Sequence, residues 1–100
     1  MGKLVRDRIP EIIAVEGRDA EVRRLSDEEY DAALLDKLLE EVEELRSAGR
    51  EDRLEEAADV YEVLLAIVAR LGGDAEALDT AAETKRQARG AFTQRLWLEG

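Results

Sequence analysis

The chain contains no cysteine and no histidine. Without cysteine there can be no disulfide, no zinc–thiolate centre and no thiol nucleophile. Without histidine the commonest general base and the commonest transition-metal ligand are missing. Any catalysis must therefore use carboxylates, Lys, Arg, Tyr or a metal-bound water. Aromatic residues make up only 4% of the chain, and there is one proline. The apolar 45% is largely Ala and Leu, and charged residues reach 40%; this is the composition of a helix bundle rather than of a disordered tail. Positive charge is also short, with 15 basic against 25 acidic residues and a net charge of −10. Phosphate backbones require a basic surface, so nucleic acid is not an expected partner. A divalent cation is compatible with this balance, and such a cation can carry a phosphate-bearing small molecule. No apolar run is long enough to span a membrane and no signal-peptide pattern is present, so no membrane partner and a cytoplasmic location are expected. One hundred residues suit a single domain spanning residues 1–100, and a chain of that size buries only about 60–68% of its unfolded surface.

What the chain does have is acids in pairs. The stretches Lys37 to Leu45 and Leu54 to Val68 both read as helix, and a short link through Gly49 joins them. Each carries two acids three residues apart: Glu41 and Glu44 on the first, Glu56 and Asp59 on the second. Residues three apart share a helix face. Glu44 lies five residues before Gly49 and Glu56 seven after it, while Glu41 lies eight before and Asp59 ten after. At about 1.5 Å per residue the inner pair sits roughly 7–10 Å from the turn and the outer pair roughly 12–15 Å. An antiparallel hairpin then sets Glu44 level with Glu56 and Glu41 level with Asp59, a square of four carboxylates.

The helical faces agree with this. Stepping about 100° per residue from Leu34, the apolar residues of the first helix fill an arc of roughly 140°, with Glu41 and Glu44 at its rim. On the second helix the apolar arc widens to roughly 220°, and Glu56 falls inside it beside Val60, Val63 and Ile67. An acid inside an apolar arc needs a partner, because a lone buried charge is costly. Basic partners look scarce at these faces, and a hard divalent cation held by carboxylate oxygens is the natural compensation. The alternative is a solvated acidic face laced with i, i+4 ion pairs.

The remaining segments read as follows. Residues 1–9 concentrate Lys3, Arg6 and Arg8 in an otherwise acidic protein. These basic side chains either pair with the acidic helices or contact phosphate. Asp7 is expected to cap a short helix with Pro10 in its first turn and Gly17 at its end. Residues 18–25 read as extended. Ser26 followed by Glu29 is a capping box, opening a helix that runs to about Ala48 with Gly49 as its C′ residue. The next helix runs from about Glu51 to Leu71, stopped by Gly72 and Gly73, and Asp74 caps a last helix ending near Arg89 before Gly90. Loose alternation through Phe92, Leu96 and Leu98 suggests a strand pairing with the Val22 region, a short β-ribbon from residues 20–25 and 92–98. Trp97 belongs to the core, to an interface or to a base-stacking surface. The expected fold is all-α, an antiparallel helical bundle. Its apolar arc on residues 54–71 is too wide for one small chain to cover, so a homodimer or higher homo-oligomer should complete the bundle.

The segments KLVRDRIPEII, KLLEEVEEL, EEAADVYEVL and ETKRQARGAFTQRLWL together resemble the short all-α nucleoside triphosphate pyrophosphohydrolases. That superfamily groups MazG-like proteins, dimeric dUTPases and phosphoribosyl-ATP pyrophosphohydrolase, and the resemblance covers nearly the whole chain. Its motif, Glu-Glu-x-x-Glu, a spacer, then Glu-x-x-Asp, falls on Glu40, Glu41, Glu44, Glu56 and Asp59. The spacer of eleven residues, Leu45 to Glu55, is at the short end of the pattern and leaves little room for a base-recognition loop. The resemblance implies that Glu41, Glu44, Glu56 and Asp59 bind Mg2+, with Mn2+ as a substitute. It also implies a nucleotide substrate cut between its α- and β-phosphates to give a monophosphate and pyrophosphate. Chemistry of this type needs charge neutralisation and positioning rather than a side-chain nucleophile, so a chain without His or Cys can perform it. Glu40 is the candidate base for the attacking water, with a solvated helix residue as the alternative. Candidates for holding phosphate are Lys37, Lys85 and Arg89, the last two at i and i+4 on one helix face, with Arg6 behind them. House-cleaning of unwanted nucleotides, hydrolysis of phosphoribosyl-ATP in histidine biosynthesis and a non-catalytic metal-binding helical dimer are the functions to be weighed.

Overall fold

Side-chain caps at Ser26 and Asp74, each followed by acidic charge in the first turn, start two of the three long helices where the chain chemistry places them. In a computed structural model, which describes residues 2–100, four α-helices follow one another: α1, Ile9–Val15; α2, Asp27–Ser47; α3, Arg53–Arg70; and α4, Ala75–Arg89. There is no strand among the described residues. The capping box at Ser26 forms in full: the Ser26 hydroxyl accepts from the Glu29 amide at 3.2 Å, and the Glu29 carboxylate accepts from the Ser26 amide at 3.0 Å. Asp74 caps α4 by accepting from the Ala77 amide at 2.9 Å. Between α3 and α4 the chain turns on Gly72, whose φ of 84° falls in the left-handed region that glycine adopts without strain. Gly73 follows where a Cβ would meet Val68 at 3.0 Å and Ala77 at 3.3 Å, so the residue is small because the two helices leave no room.

Helices α2 and α3 form the antiparallel hairpin on which the site depends. At its open end the Arg70 guanidinium forks onto Asp31, with Nε donating to Oδ1 at 2.6 Å and Nη2 to Oδ2 at 3.2 Å. Between them Leu34 and Val63 are buried, and they are the only apolar residues buried among those described. Helix α4 packs on α3, its backbone not closely approaching that of α2, and the backbone of α1 closely approaches no other helix. The molecule is accordingly drawn out, with a radius of gyration of 17.0 Å against about 13 Å for a self-contained domain of this length.

Three local expectations are corrected. The β-ribbon is absent: residues 18–25 and 92–98 are irregular. Arg23 of the first segment is drawn to the first turn of α2, where it pairs with Glu29 at 3.0 Å. In the second, the Arg95 amide donates to the Phe92 carbonyl, and Arg95 turns to a φ of 58°, which breaks the alternation a strand requires. Asp7 does not cap α1; Arg8 stands at the cap, and the Ile9 amide is already satisfied by the Arg6 carbonyl. Gly49 is not a left-handed C′ residue either. It is extended, with φ −68° and ψ 161°, and opens a single 3-10 turn, Arg50–Asp52, that leads into α3. Trp97 is 84% exposed and is not core within this chain.

The cap of α2 gives a pH dependence. The Arg23 guanidinium hydrogen-bonded to Glu29, aided by the Ser26 amide and hydroxyl, lowers the Glu29 pKa to about 2. A depressed carboxyl stabilises the fold above its unfolded pKa and loses that contribution as pH falls through its folded pKa. The melting temperature of wild type should exceed that of Glu29→Gln at neutral pH. The gap should narrow once pH drops below the ordinary Glu range and close near pH 2. Melting curves across that range measure it; a gap independent of pH would mean that the charge of Glu29 contributes nothing.

Candidate metal centre

The hairpin brings Glu41 of α2 against Glu56 and Asp59 of α3. Each offers one carboxylate oxygen, and the three oxygens lie within 4.8 Å of one another. Glu41 is buried, at 7% exposure, and Glu56 and Asp59 are half-buried. Two oxygens in this group, Oε2 of Glu41 and Oε2 of Glu56, are buried without a hydrogen-bond donor. Buried polar atoms are nearly always satisfied, so two orphaned carboxylate oxygens in one cluster call for an explanation. An oxygen-only donor set of this kind suits a hard cation such as Mg2+, Mn2+ or Ca2+.

Glu44 does not join the three. The expected square is a triangle with a neighbour, because Glu44 is exposed on α2 and outside the set of converging oxygens. A helix turn between Glu41 and Glu44 moves the latter to the rim, whereas Glu41 meets both acids of α3 itself. Glu44 still senses the cluster. A shared-proton hydrogen bond with Glu41 and the charge of Glu41 push the Glu44 carboxyl above the usual Glu value. No hydrogen-bond donor reaches Glu41 Oε2. Glu56 is pushed up as well, first by burial and then by the charges of Asp59 and Glu41.

Basic partners are less scarce here than the helical faces suggested. Lys37, one turn before Glu41, places its Nζ 3.3 Å from Glu41 Oε1 and 3.4 Å from Glu40 Oε2. Burial works against the Lys37 ammonium, but its hydrogen bonds to Glu41 and Glu40 outweigh this and hold its pKa above the ordinary lysine value. Lys37 thus bridges acids within one chain. Glu40, the candidate base, is half-buried and engaged by that same ammonium. Arg6 reaches across from the N-terminal segment, and its Nη2 donates to Asp59 Oδ1 at 2.6 Å. Its partner is therefore a carboxylate of the cluster. Lys85 and Arg89 are exposed on α4 and make no hydrogen bond or ion pair among the described residues. Since the backbone of α4 closely approaches α3 but not α2, a single chain does not gather them with the acids. The Lys37 bridge was legible as an i, i+4 pair of opposite charges. The Arg6–Asp59 pair, 53 residues apart in sequence, carried no local signal.

No protein-family profile matches the chain, and neither does any solved structure. An uncharacterised protein of Mycolicibacterium smegmatis is 60% identical over 52 residues, 52% of this chain. The matched part is 53% of that protein, so the chain spans about half the length of the relative it matches. No helix among the described residues is long and apolar enough to cross a membrane.

Proposed function

We propose that the protein is a divalent-cation-dependent nucleotide pyrophosphohydrolase that cleaves between the α- and β-phosphates. The observation that carries this reading is the convergence of Glu41, Glu56 and Asp59 with two donorless buried oxygens. Those three side chains would hold Mg2+, or Mn2+ in its place, with Glu44 at the rim. When bound, the cation supplies charge neutralisation for the phosphate oxygens and acidifies a water. Glu40, one residue from Glu41, would accept a proton from the attacking water, and Lys37 sets its position through the 3.4 Å contact. Lys85 and Arg89 would meet the outer phosphates from a second copy of the chain, because their own α4 does not closely approach α2. A homodimer is therefore part of the proposal, and the cytoplasm, where nucleotide pools lie, is the fitting location. The family resemblance of the four segments supports the same reading. It leaves house-cleaning of the nucleotide pool and the phosphoribosyl-ATP reaction as two forms of it.

The test is pyrophosphate release from a panel of nucleoside triphosphates and phosphoribosyl-ATP, with and without Mg2+. Turnover of one class only with Mg2+, lost in Asp59→Asn, is the expected result. A second reading, a helical dimer that binds a cation without catalysis, is favoured by the separation of Lys85 and Arg89 from the acids within one chain. In that case Mg2+ raises the melting temperature by mass action, while no nucleotide of the panel turns over.

A further inference from the structure

We propose that Arg6 and a divalent cation compete for Asp59, so that the N-terminal segment is a latch across the acid cluster that cation binding opens. The inference rests on the reading of the acids as a cation site. It starts from the 2.6 Å contact of Arg6 Nη2 with Asp59 Oδ1. Asp59 is one of the three converging carboxylates, so the guanidinium places a positive charge on an oxygen pair that the cluster offers to a cation. It does so without serving Glu41, whose buried Oε2 stays donorless. The cluster thus retains a binding demand that Arg6 does not meet.

The way the segment is held fits a latch. Residues 2–6 have no regular structure, and the backbone of α1 beyond them closely approaches no other helix. Lys3 and Leu4 share a small cleft with Ala33, Lys37 and Glu40 of α2, and Leu4 and Val5 are half-buried. The segment then crosses to α3, where Arg6 is the side chain hydrogen-bonded to it. It therefore runs from the Lys37–Glu40 flank of the cluster to its Asp59 flank. The Arg6 side chain is 56% exposed and that of Asp59 39%. A pair that open to water is cheap to part, since the released guanidinium is rehydrated at once. Two cations on one carboxylate repel, and a divalent ion chelated by three acids outcompetes a single guanidinium held by one.

The opposite assignment has the opposite sign. If Arg6 holds Asp59 in place through Oδ1 and leaves Oδ2 for the cation, Arg6 is a positioning residue and its removal weakens binding. Mn2+ titrated calorimetrically into wild type, Arg6→Ala and Arg6→Gln separates the two. The latch predicts about two- to fivefold tighter Mn2+ binding in both variants, the affinity equivalent of one lost exposed ion pair. It also predicts that Mg2+ lowers the NMR order parameters of the Val5 and Arg6 amides in wild type, and that those of Val5 and residue 6 are already low in Arg6→Gln without Mg2+. Unchanged or weaker Mn2+ binding in the variants overturns the latch and leaves the cation site standing. No Mn2+ binding by any of the three proteins overturns both.

Discussion

Glu41→Gln is expected to abolish the proposed Mn2+ binding and pyrophosphate release, and to raise the melting temperature in buffer containing a chelator. The two signs follow from one geometry. Glutamine keeps the volume of the side chain, so the packing around this 7%-exposed residue survives. What disappears is the charge whose Oε2 has no donor. Loss of one of three converging ligands should cost on the order of 100-fold or more in affinity, beyond the 10–100-fold typical of changes one shell further out. The stability gain comes from the neighbours. Glu44 is pushed up chiefly by Glu41, and Glu56 by burial and then by Asp59 and Glu41. A group whose folded pKa is raised favours the fold below its unfolded pKa and loses that contribution as pH rises through the folded value. At neutral pH both groups are on the unfavourable side, and removing the Glu41 charge relieves them. Lys37 is not stranded, because Glu40 remains 3.4 Å away. If Glu41 served only as the structural partner of Lys37, the variant would melt lower and bind Mn2+ as wild type does. Calorimetric titration and melting curves on one sample settle the matter.

The local chemistry of the chain was more legible than its long-range contacts. Ser26 with Glu29, Asp74, and the glycines at 72 and 90 marked helix ends because capping is a matter of three or four consecutive residues. The facing of α2 and α3 was legible too, since the pattern of apolar residues fixes which side of each helix is turned inward. The register across the hairpin was only partly so. Counting from Gly49 assumed a tight left-handed turn, whereas an extended Gly49 and a 3-10 turn intervene. Glu41 consequently meets both Glu56 and Asp59, and Glu44 is left at the rim. Arg6 on Asp59 lay beyond reach altogether: nothing within a few residues of Arg6 says which of the 25 acids it will find. The β-ribbon failed for the reverse reason. Its alternation was real but short, and a capping-box acid six residues away was a better partner for Arg23 than a distant strand.

Leu39→Asp is expected to dissociate the proposed homodimer and unfold the protein in the same step. In a self-sufficient monomer the change would be nearly silent, because Leu39 is 69% exposed within one chain and substitutions at exposed sites stay within about 0.5 kcal/mol. The chain, however, leaves 9123 Å² accessible, roughly 3,400 Å² more than the ~5,700 Å² expected of a folded monomer of its mass. Leu35, Leu39 and Val42 stand exposed along α2, Leu54 and Tyr61 on α3, and Phe92, Leu96, Trp97 and Leu98 beyond α4. Against these, only Leu34 and Val63 are buried apolar side chains among the described residues. Even with the half-buried Leu38, Leu45, Leu64 and Ile67 beside them, this is a small core to set against the entropy of ordering a chain this long. In the proposed homodimer a second copy, laid against the α2 face, would supply the missing core and bring a second α4, with its Lys85 and Arg89, into the assembly. Obligate homodimers bury about 2,000–5,000 Å² in total, which the excess surface of two chains readily provides. Wild type should therefore sediment as a dimer or larger, with a melting temperature that rises with protein concentration. Leu39→Asp should lose its helical circular dichroism at concentrations where wild type is fully folded. A monomer whose melting is independent of concentration, and indifferent to this substitution, would show that the hairpin stands alone.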